Sequence, residues 1–204
     1  MGIVERKSRQ RAEREHRIVA AARLIAEAEG WNAVTVRRLA DEIEHSQPVL
    51  YSHFENREAI VTAVAVEGLR EFVTALRQAE RTSAKRGDAP RNVALAYLAF
   101  ARKHPAVYDA MFTLPTQLRF AEPDAIAELK DGFAALAAVV SPSCGDVELA
   151  TETFWAALHG LAQLERSGRI RPSARAERVK LLVHGLLGFT PAAEQTPTPS
   201  ARGA

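Results

Sequence analysis

The run Thr35 to Arg57, TVRRLADEIEHSQPVLYSHFENR, restricts the possible fold more than any other part of the chain. Val36, Leu39, Ala40 and Ile43 fall at helical spacing and form one apolar face, with Thr35 placed to cap that helix. No capping box completes it, because position 38 is Arg rather than Glu or Gln. Glu44-His45 forms a turn. Ser46 then starts a second short helix, with Pro48 in the first turn, where a missing N–H costs little. Leu50 and Phe54, four apart, face inward. Asn56 caps a further helix, and Glu58 sits near its positive end. Two short helices with apolar backs, joined by a tight turn, must pack on a scaffold and leave the start of the second helix pointing outward. A helix-turn-helix presents its reading end to DNA in this way.

The rest of the chain reads as helix. The 204 residues are 47% hydrophobic and 25% charged, as in a globular protein with a real core, and β-branched residues never alternate. Residues 1–8 read as a frayed basic leader. A first helix follows from Arg9 to Glu29, with Ile18, Ala22 and Ile25 on one stripe and Gly30 as its stop. The helix opened by Asn56 is apolar over more than one stripe (Ile60, Val64, Leu69, Phe72, Val73, Leu76). Its mid-helix Gly68 signals close packing against a neighbour. Further helices are predicted at 90–103, 105–112, 123–140, 145–167 and 174–188, punctuated by Pro105, Pro115, Pro123, Pro142 and Pro172. The expected fold is all-α: an N-terminal three-helix helix-turn-helix unit over 1–55 and a larger C-terminal helical domain over 56–190, to which the resemblance described below assigns ligand binding and dimerisation. The tail, 191–204, is rich in Pro, Ala and small polar residues and is expected to be disordered.

Several classes are disfavoured. Cys144 is the lone cysteine, which rules out an internal disulfide or a cysteine-rich zinc site and fits a reducing cytoplasm. No apolar run reaches the ~18 residues of a membrane span, and the charged start has no signal-peptide core. His104, His159 and His184 have no metal-ligand spacing, so neither metal nor cofactor is expected. An all-helical enzyme is the alternative least supported, since there is no Gly-x-Ser-x-Gly elbow, no phosphate-cradling glycine loop and no His-Glu-x-x-His. A helical partner-binding module without specific DNA binding is the other alternative. Arg86-Gly87-Asp88 is turn chemistry inside a connector. The net charge is only +2, and residues 1–55 are neutral, with nine Lys/Arg against nine Asp/Glu. Cations nevertheless crowd the start (Arg6, Lys7, Arg9, Arg11, Arg14, Arg17), and a local basic arm can contact phosphates.

On a helix-turn-helix, the first residues of the second helix face base edges. Here these are Ser46, Gln47 and Pro48. Gln47 can pair bidentately with adenine, Pro48 can lie on a thymine methyl, and Arg37 can reach a guanine or a phosphate. Thr35, Tyr51, His53 and Arg57 are candidates for phosphate contacts that fix register. The residues Thr35, Leu39-Ala40, Leu50-Tyr51-Ser52-His53-Phe54 and Asn56-Arg57-Glu58 resemble, in one uninterrupted register of about 50 residues, the DNA-binding domain of the TetR family of transcriptional regulators. The resemblance implies base-reading positions for Arg37, Gln47 and Pro48, and backbone positions for Tyr51, His53 and Arg57. One departure is Glu44-His45, where the family usually has a Gly-Val-like pair. A non-glycine residue at a left-handed position costs about 1 kcal/mol. His45 is expected to be a buried, hydrogen-bonded histidine.

Farther on, Phe154-Trp155-Ala-Ala-Leu-His159-Gly160-Leu161 resembles the C-terminal domain of a TetR branch with a Trp-His-Gly signature. Trp155 and His159 lie one turn apart and can share a pocket or serve as core. Phe72, Phe100, Tyr108 and Phe112 can line a ligand cavity with them, or simply fill a core. Leu158, Leu161, Val179, Leu182, Val183 and Leu186 make apolar stripes that call for a partner. In the TetR family the last two helices pair with their copies in a second subunit, which implies a homodimer reading a palindromic double-stranded operator. The function implied is a dimeric, ligand-responsive regulator, most often a repressor released by a small-molecule inducer, here unidentified.

Overall fold

The computed structural model describes residues 2–140 and 145–188. Its helices are α1 (Ile3–Glu29), α2 (Val36–Glu42), α3 (Gln47–Tyr51), α4 (Arg57–Arg81), α5 (Ala89–Lys103), α6 (Pro105–Phe112), α7 (Ala127–Ala137), α8 (Val147–Arg166) and α9 (Arg175–Leu187). Short 3-10 turns occupy Trp31–Ala33, Arg86–Asp88 and Pro172–Ala174, and no strand occurs among the described residues. Cys144, Pro142 and the tail 191–204 lie outside the described residues.

Two helix starts differ from the sequence reading. The expected leader is helical, because α1 begins at Ile3. The Gly2 N–H donates to the Glu5 carboxylate at 2.9 Å, and Arg11 pairs with Glu15 one turn on, so charged residues that are good helix formers extend the helix. Conversely, α7 starts at Ala127 rather than 123. The residues before it are held as a turn: the Ala125 N–H donates to Glu122, Arg119 pairs with Asp124 at 3.1 Å, and the Lys130 ammonium donates to the Pro123 carbonyl.

The chain forms two compact units, Met1–Thr74 with Phe100–Gly132, and Ala75–Ala99 with Phe133–Ala204, so the division falls within α4, α5 and α7. In the first unit, Ile18, Ala22 and Ile25 of α1 are buried together with Leu39 and Ala40 of α2, Leu50 of α3 and Ile60, Val61 and Val64 of α4. The sequence reading of Gly68 holds: a Cβ there would lie 2.3 Å from Val107 Cγ1 and 3.1 Å from Met111 Sδ, so α6 crosses α4 at backbone range. α6 is also fastened to α1. The Glu27 carboxylate accepts the Ala106 and Val107 N–H groups, each at 3.1 Å, and neutralises the positive end of that helix. The Trp31 indole N–H donates to the Ala106 carbonyl at 2.8 Å.

The second unit packs α8 against α9. Phe154, Leu158 and Ala162 are buried on one helix, and Val179, Val183 and Leu187 on the other. Glu165, with its side chain only 8% exposed, pairs with Arg175 at 2.8 Å and closes the junction between them. Three residues expected at a dimer interface, Leu158, Val179 and Val183, therefore belong to the chain's own core. Leu161, Leu182 and Leu186 are half-buried. The apolar periodicity is real, but one stripe serves packing within the chain.

Candidate nucleic-acid interface

The head is built from capped ends. The Thr35 hydroxyl accepts the Arg38 N–H at 3.1 Å and starts α2. The end of α2 is closed by paired turns: the His45 N–H donates to the Ala40 carbonyl at 2.9 Å and the Glu44 N–H to Asp41 at 3.3 Å. This is a Schellman ending, which places its first residue past the cap in the left-handed region. That residue is Glu44, at φ 57°, so the fold keeps the glycine-type turn and carries the strain of a side chain there. His45 is half-buried rather than buried, and its ring N–H donates to the Glu44 carbonyl at 2.8 Å. From α1, Arg17 donates to the Ile43 carbonyl at 3.2 Å and satisfies another end group of α2.

α3 spans only Gln47–Tyr51 and is anchored by Leu50, which is buried. Ser46 has the extended backbone of a cap and its carbonyl accepts the Val49 N–H at 3.0 Å, but its hydroxyl makes no capping bond. Ser46, Gln47 and Pro48 are all exposed. Arg37 is exposed as well, whereas Arg38 beside it is paired with Glu29 at 3.2 Å. Tyr51 is 55% exposed at the far end of α3. The Asn56 carboxamide oxygen accepts the Ala59 N–H at 2.8 Å and caps α4 as expected.

Two candidate phosphate ligands are engaged by the protein itself, although Arg57 is an exposed residue. The His53 side chain is 6% exposed, with its ring 3.3 Å from the Glu15 carboxylate. The Arg57 guanidinium donates to the Val34 carbonyl at 2.9 Å and to that of Trp31. Both brace the head. The Glu15 carboxyl is held below its usual range, chiefly by its bond to Arg11 and further by His53. Arg11 also reaches the Ser52 carbonyl at 3.4 Å. Arg11, Glu15, Arg17 and Glu27 were not legible as positioning residues in the sequence, because their partners lie 26 to 80 positions away for Arg17, Arg11 and Glu27.

A charge cluster joins α1 to α4. Arg23 of α1 makes a two-pronged pair with Glu71 of α4, one prong at 2.7 Å, and lies 3.4 Å from the His104 ring. The pair lowers the Glu71 carboxyl and raises the Arg23 guanidinium. Burial, then the Arg23 charge, pushes the His104 imidazole down.

The six residues considered for a ligand cavity divide between the units. Phe72, Phe100, Tyr108 and Phe112 belong to the first, where Phe72 meets Phe100 at 5.2 Å and Phe112 at 5.9 Å, and Tyr108 meets Phe112 at 5.0 Å, all edge-on. Trp155 and His159 belong to the second, where both are half-buried and the Trp155 indole N–H donates to the Tyr97 hydroxyl at 3.1 Å.

A capped helix, a Schellman turn and a short second helix with an exposed Ser-Gln-Pro tip define a helix-turn-helix DNA-binding protein. Residues 18–64 match the family model described as bacterial regulatory proteins, tetR family, and residues 90–186 match a tetracyclin repressor-like C-terminal domain. An uncharacterized HTH-type transcriptional regulator of Mycobacterium tuberculosis, Rv0681, is 32% identical over 154 residues, which are 74% of this chain and 69% of the relative. The chain belongs to the TetR family of transcriptional regulators. Its fold is similar to that of a Rhodococcus sp. RHA1 protein of unknown function, with TM-score 0.69, 22% identity and coverage of 85% and 95% of the two chains. It is also similar to BioQ, solved with its double-stranded DNA operator, with TM-score 0.62, 23% identity and coverage of 85% and 98%. A third is FadR of Bacillus subtilis, solved with stearoyl-CoA, with TM-score 0.62, 15% identity and coverage of 83% and 98%.

Proposed function

We propose that this regulator is a homodimeric repressor that reads a palindromic duplex through Arg37 and Ser46-Gln47-Pro48, and leaves it when a small-molecule inducer binds. The observation that carries the reading is the exposure of that tip on a helix whose back, Leu50, is buried. The functional division follows: 1–55 reads DNA, and 56–190 senses and dimerises. Thr35 and Tyr51 supply register-fixing phosphate contacts, while His53 and Arg57 hold the head in shape for them.

Ligand response is supported by the family and by FadR, which was solved with an acyl-CoA. The inducer-sensing residues are Trp155 and His159, one turn apart and half-buried, in the segment that resembles the Trp-His-Gly branch. The four edge-packed rings of the first unit serve as core. α4 contributes residues to both compact units and is the element whose shift would report inducer binding to the head. Such a regulator acts in the cytoplasm, where the chromosome is, and performs no catalysis.

The second subunit is assigned to the outward faces of α8 and α9. Leu149, Leu164 and Leu181 are 60%, 41% and 72% exposed, with Leu161, Leu182 and Leu186 half-buried beside them. Apolar surface gathered on one helix pair calls for cover.

The test is a band-shift series on the protein's own upstream region across several salt concentrations. Selective binding with a steep salt slope supports the regulator. Equal binding to all sequences at every salt concentration supports the partner-binding alternative instead. Full operator affinity in the presence of every compound shown to bind the protein would sink the inducer step.

A further inference from the structure

α1 runs on well beyond its buried face. Its first buried residue among those whose side chains are described is Ile18, so residues 3–17, about 22 Å of helix at 1.5 Å per residue, extend beyond the core. This extension is ordered helix with a defined charge pattern. Lys7, Arg11, Arg14, Ile18, Ala22 and Ile25 fall at i, i+4, i+7, i+11, i+15 and i+18, which is one face. The C-terminal half of that face packs into the head. Its N-terminal half carries cations instead. Glu5 and Glu13 lie on the other side of the helix, and Glu15 is held by Arg11 and His53. Lys7 and Arg14 are exposed and make no ion pair or hydrogen bond with a described residue. Arg11 ties the stripe to the reading head, since its guanidinium reaches the carbonyl of Ser52 just past α3.

We infer that this cationic stripe is a second, sequence-blind DNA contact: Lys7 and Arg14 hold the phosphate backbone flanking the bases read by α3. The inference rests on the regulator reading and adds where part of its affinity arises. A duplex engaged by Ser46-Gln47-Pro48 continues past α3, and Arg11 fixes the stripe beside the end of α3. The ligand is a polyanion because the face offers charge without apolar residues between Lys7 and Arg14; a membrane-binding face would need them. The neutral total of residues 1–55 is thus split between a cationic face and acids placed elsewhere.

The test uses the full chain and a duplex that the wild-type protein selects from a randomised pool. That duplex is made in two lengths, trimmed to the selected site and extended by random flanks. Lys7→Gln/Arg14→Gln is compared with Arg91→Gln/Arg102→Gln, a matched charge loss on exposed positions of α5. Each phosphate contact contributes about 0.9 to the salt slope, so the first variant, which removes two contacts from each of two subunits, should lower it by about 3.6 on the extended duplex. Its affinity deficit should shrink about a hundredfold between 50 and 200 mM salt. The base preference should stay as in wild type, the trimmed duplex should show little loss, and the α5 variant should leave the slope nearly unchanged. An unchanged slope overturns the inference, as does an equal loss on both lengths or from both variants. If the wild-type protein selects no sequence, the regulator reading fails separately. The stripe is then judged on random duplex, where the same drop in slope supports it and no drop overturns it. Melting curves matching wild type certify that the glutamine variants fold.

Discussion

At the scale of single residues, exposure and hydrogen bonding separate reading from bracing. Gln47 is exposed at the start of α3, and removing a bidentate contact costs about 1–3 kcal/mol of discrimination. Gln47→Ala should therefore relax preference at one or two base pairs while leaving the melting temperature unchanged. Arg57 serves two carbonyls of the turn before α2, so Arg57→Ala should destabilise the fold by about 1–3 kcal/mol and leave the salt slope as it was. Selection of binding sites, salt titration and melting for the two variants separate the roles; a flattened slope for Arg57→Ala would restore it to the phosphate contacts. Glu44 offers a test of strain. Its φ of 57° costs a non-glycine residue about 1–2 kcal/mol, partly offset by the greater freedom of glycine in the unfolded chain. Glu44→Gly should stabilise the head by about 0.5–1 kcal/mol in urea melts; a loss of stability would mean that the Glu44 side chain supports the turn.

At the scale of elements, the helices were legible wherever apolar period and capping agreed. Thr35, Asn56 and Gly68 acted as their local chemistry indicates, because caps and close crossings are written in residues near the element they serve. The start of α1 was not legible, since a charged run without an apolar stripe reads as leader until its (i, i+4) pairing is seen. The engagement of His53 and Arg57 was hidden for another reason: their partners come from other elements. The α4–α6 crossing gives a firm prediction. Gly68→Ala places a methyl against Val107, and overpacking of this kind costs about 1–3 kcal/mol despite the better helix propensity. Thermal melting should show that loss, and Gly68→Ala/Val107→Ala should recover part of it. The Arg23–Glu71–His104 cluster joining α1, α4 and the start of α6 gives the pH dependence. His104 has a lowered pKa in the fold, so the unfolded chain takes the proton first. Stability is full above the ordinary histidine value, about 6.5, and falls as pH drops through the window below it. Glu71, Glu15 and Glu128, all lowered, lose their contribution at lower pH, below the ordinary carboxylate range. Melting temperature against pH should fall in two stages. His104→Gln should remove the first stage and keep the second; a first stage of unchanged size in that variant would assign it to another group.

At the scale of the whole molecule, the open question is what covers the outer faces of α8 and α9. The sequence marked these helices as a dimer surface but chose three residues that the chain buries for itself, because periodicity locates a stripe without saying which neighbour it meets. The outward leucines suit a two-fold contact, in which every substitution acts twice. Glycine supplies the sharper argument. A Cβ at Gly160 or Gly185 would meet nothing within 4 Å in this chain, yet glycine inside a helix costs about 1 kcal/mol relative to alanine. No described residue of the subunit comes close enough to call for glycine there, whereas a helix from a second copy crossing at those points would. Gly160→Ala/Gly185→Ala should therefore raise the stability of the isolated subunit while weakening association. A change of opposite sign in the two measurements is what a merely structural role cannot produce. Leu181→Glu should go further, since each leucine buried contributes about 1.5–3 kcal/mol and the contact would contain it twice. Sedimentation across a concentration series should find this variant monomeric where wild type is dimeric, with subunit melting unaffected. On DNA, Leu181→Glu should bind a single half-site as well as the full palindrome, because two reading heads gain from a palindrome only while they remain joined. A wild-type protein that stays monomeric at high concentration, or a Leu181→Glu protein that dimerises as tightly as wild type, would move the interface elsewhere.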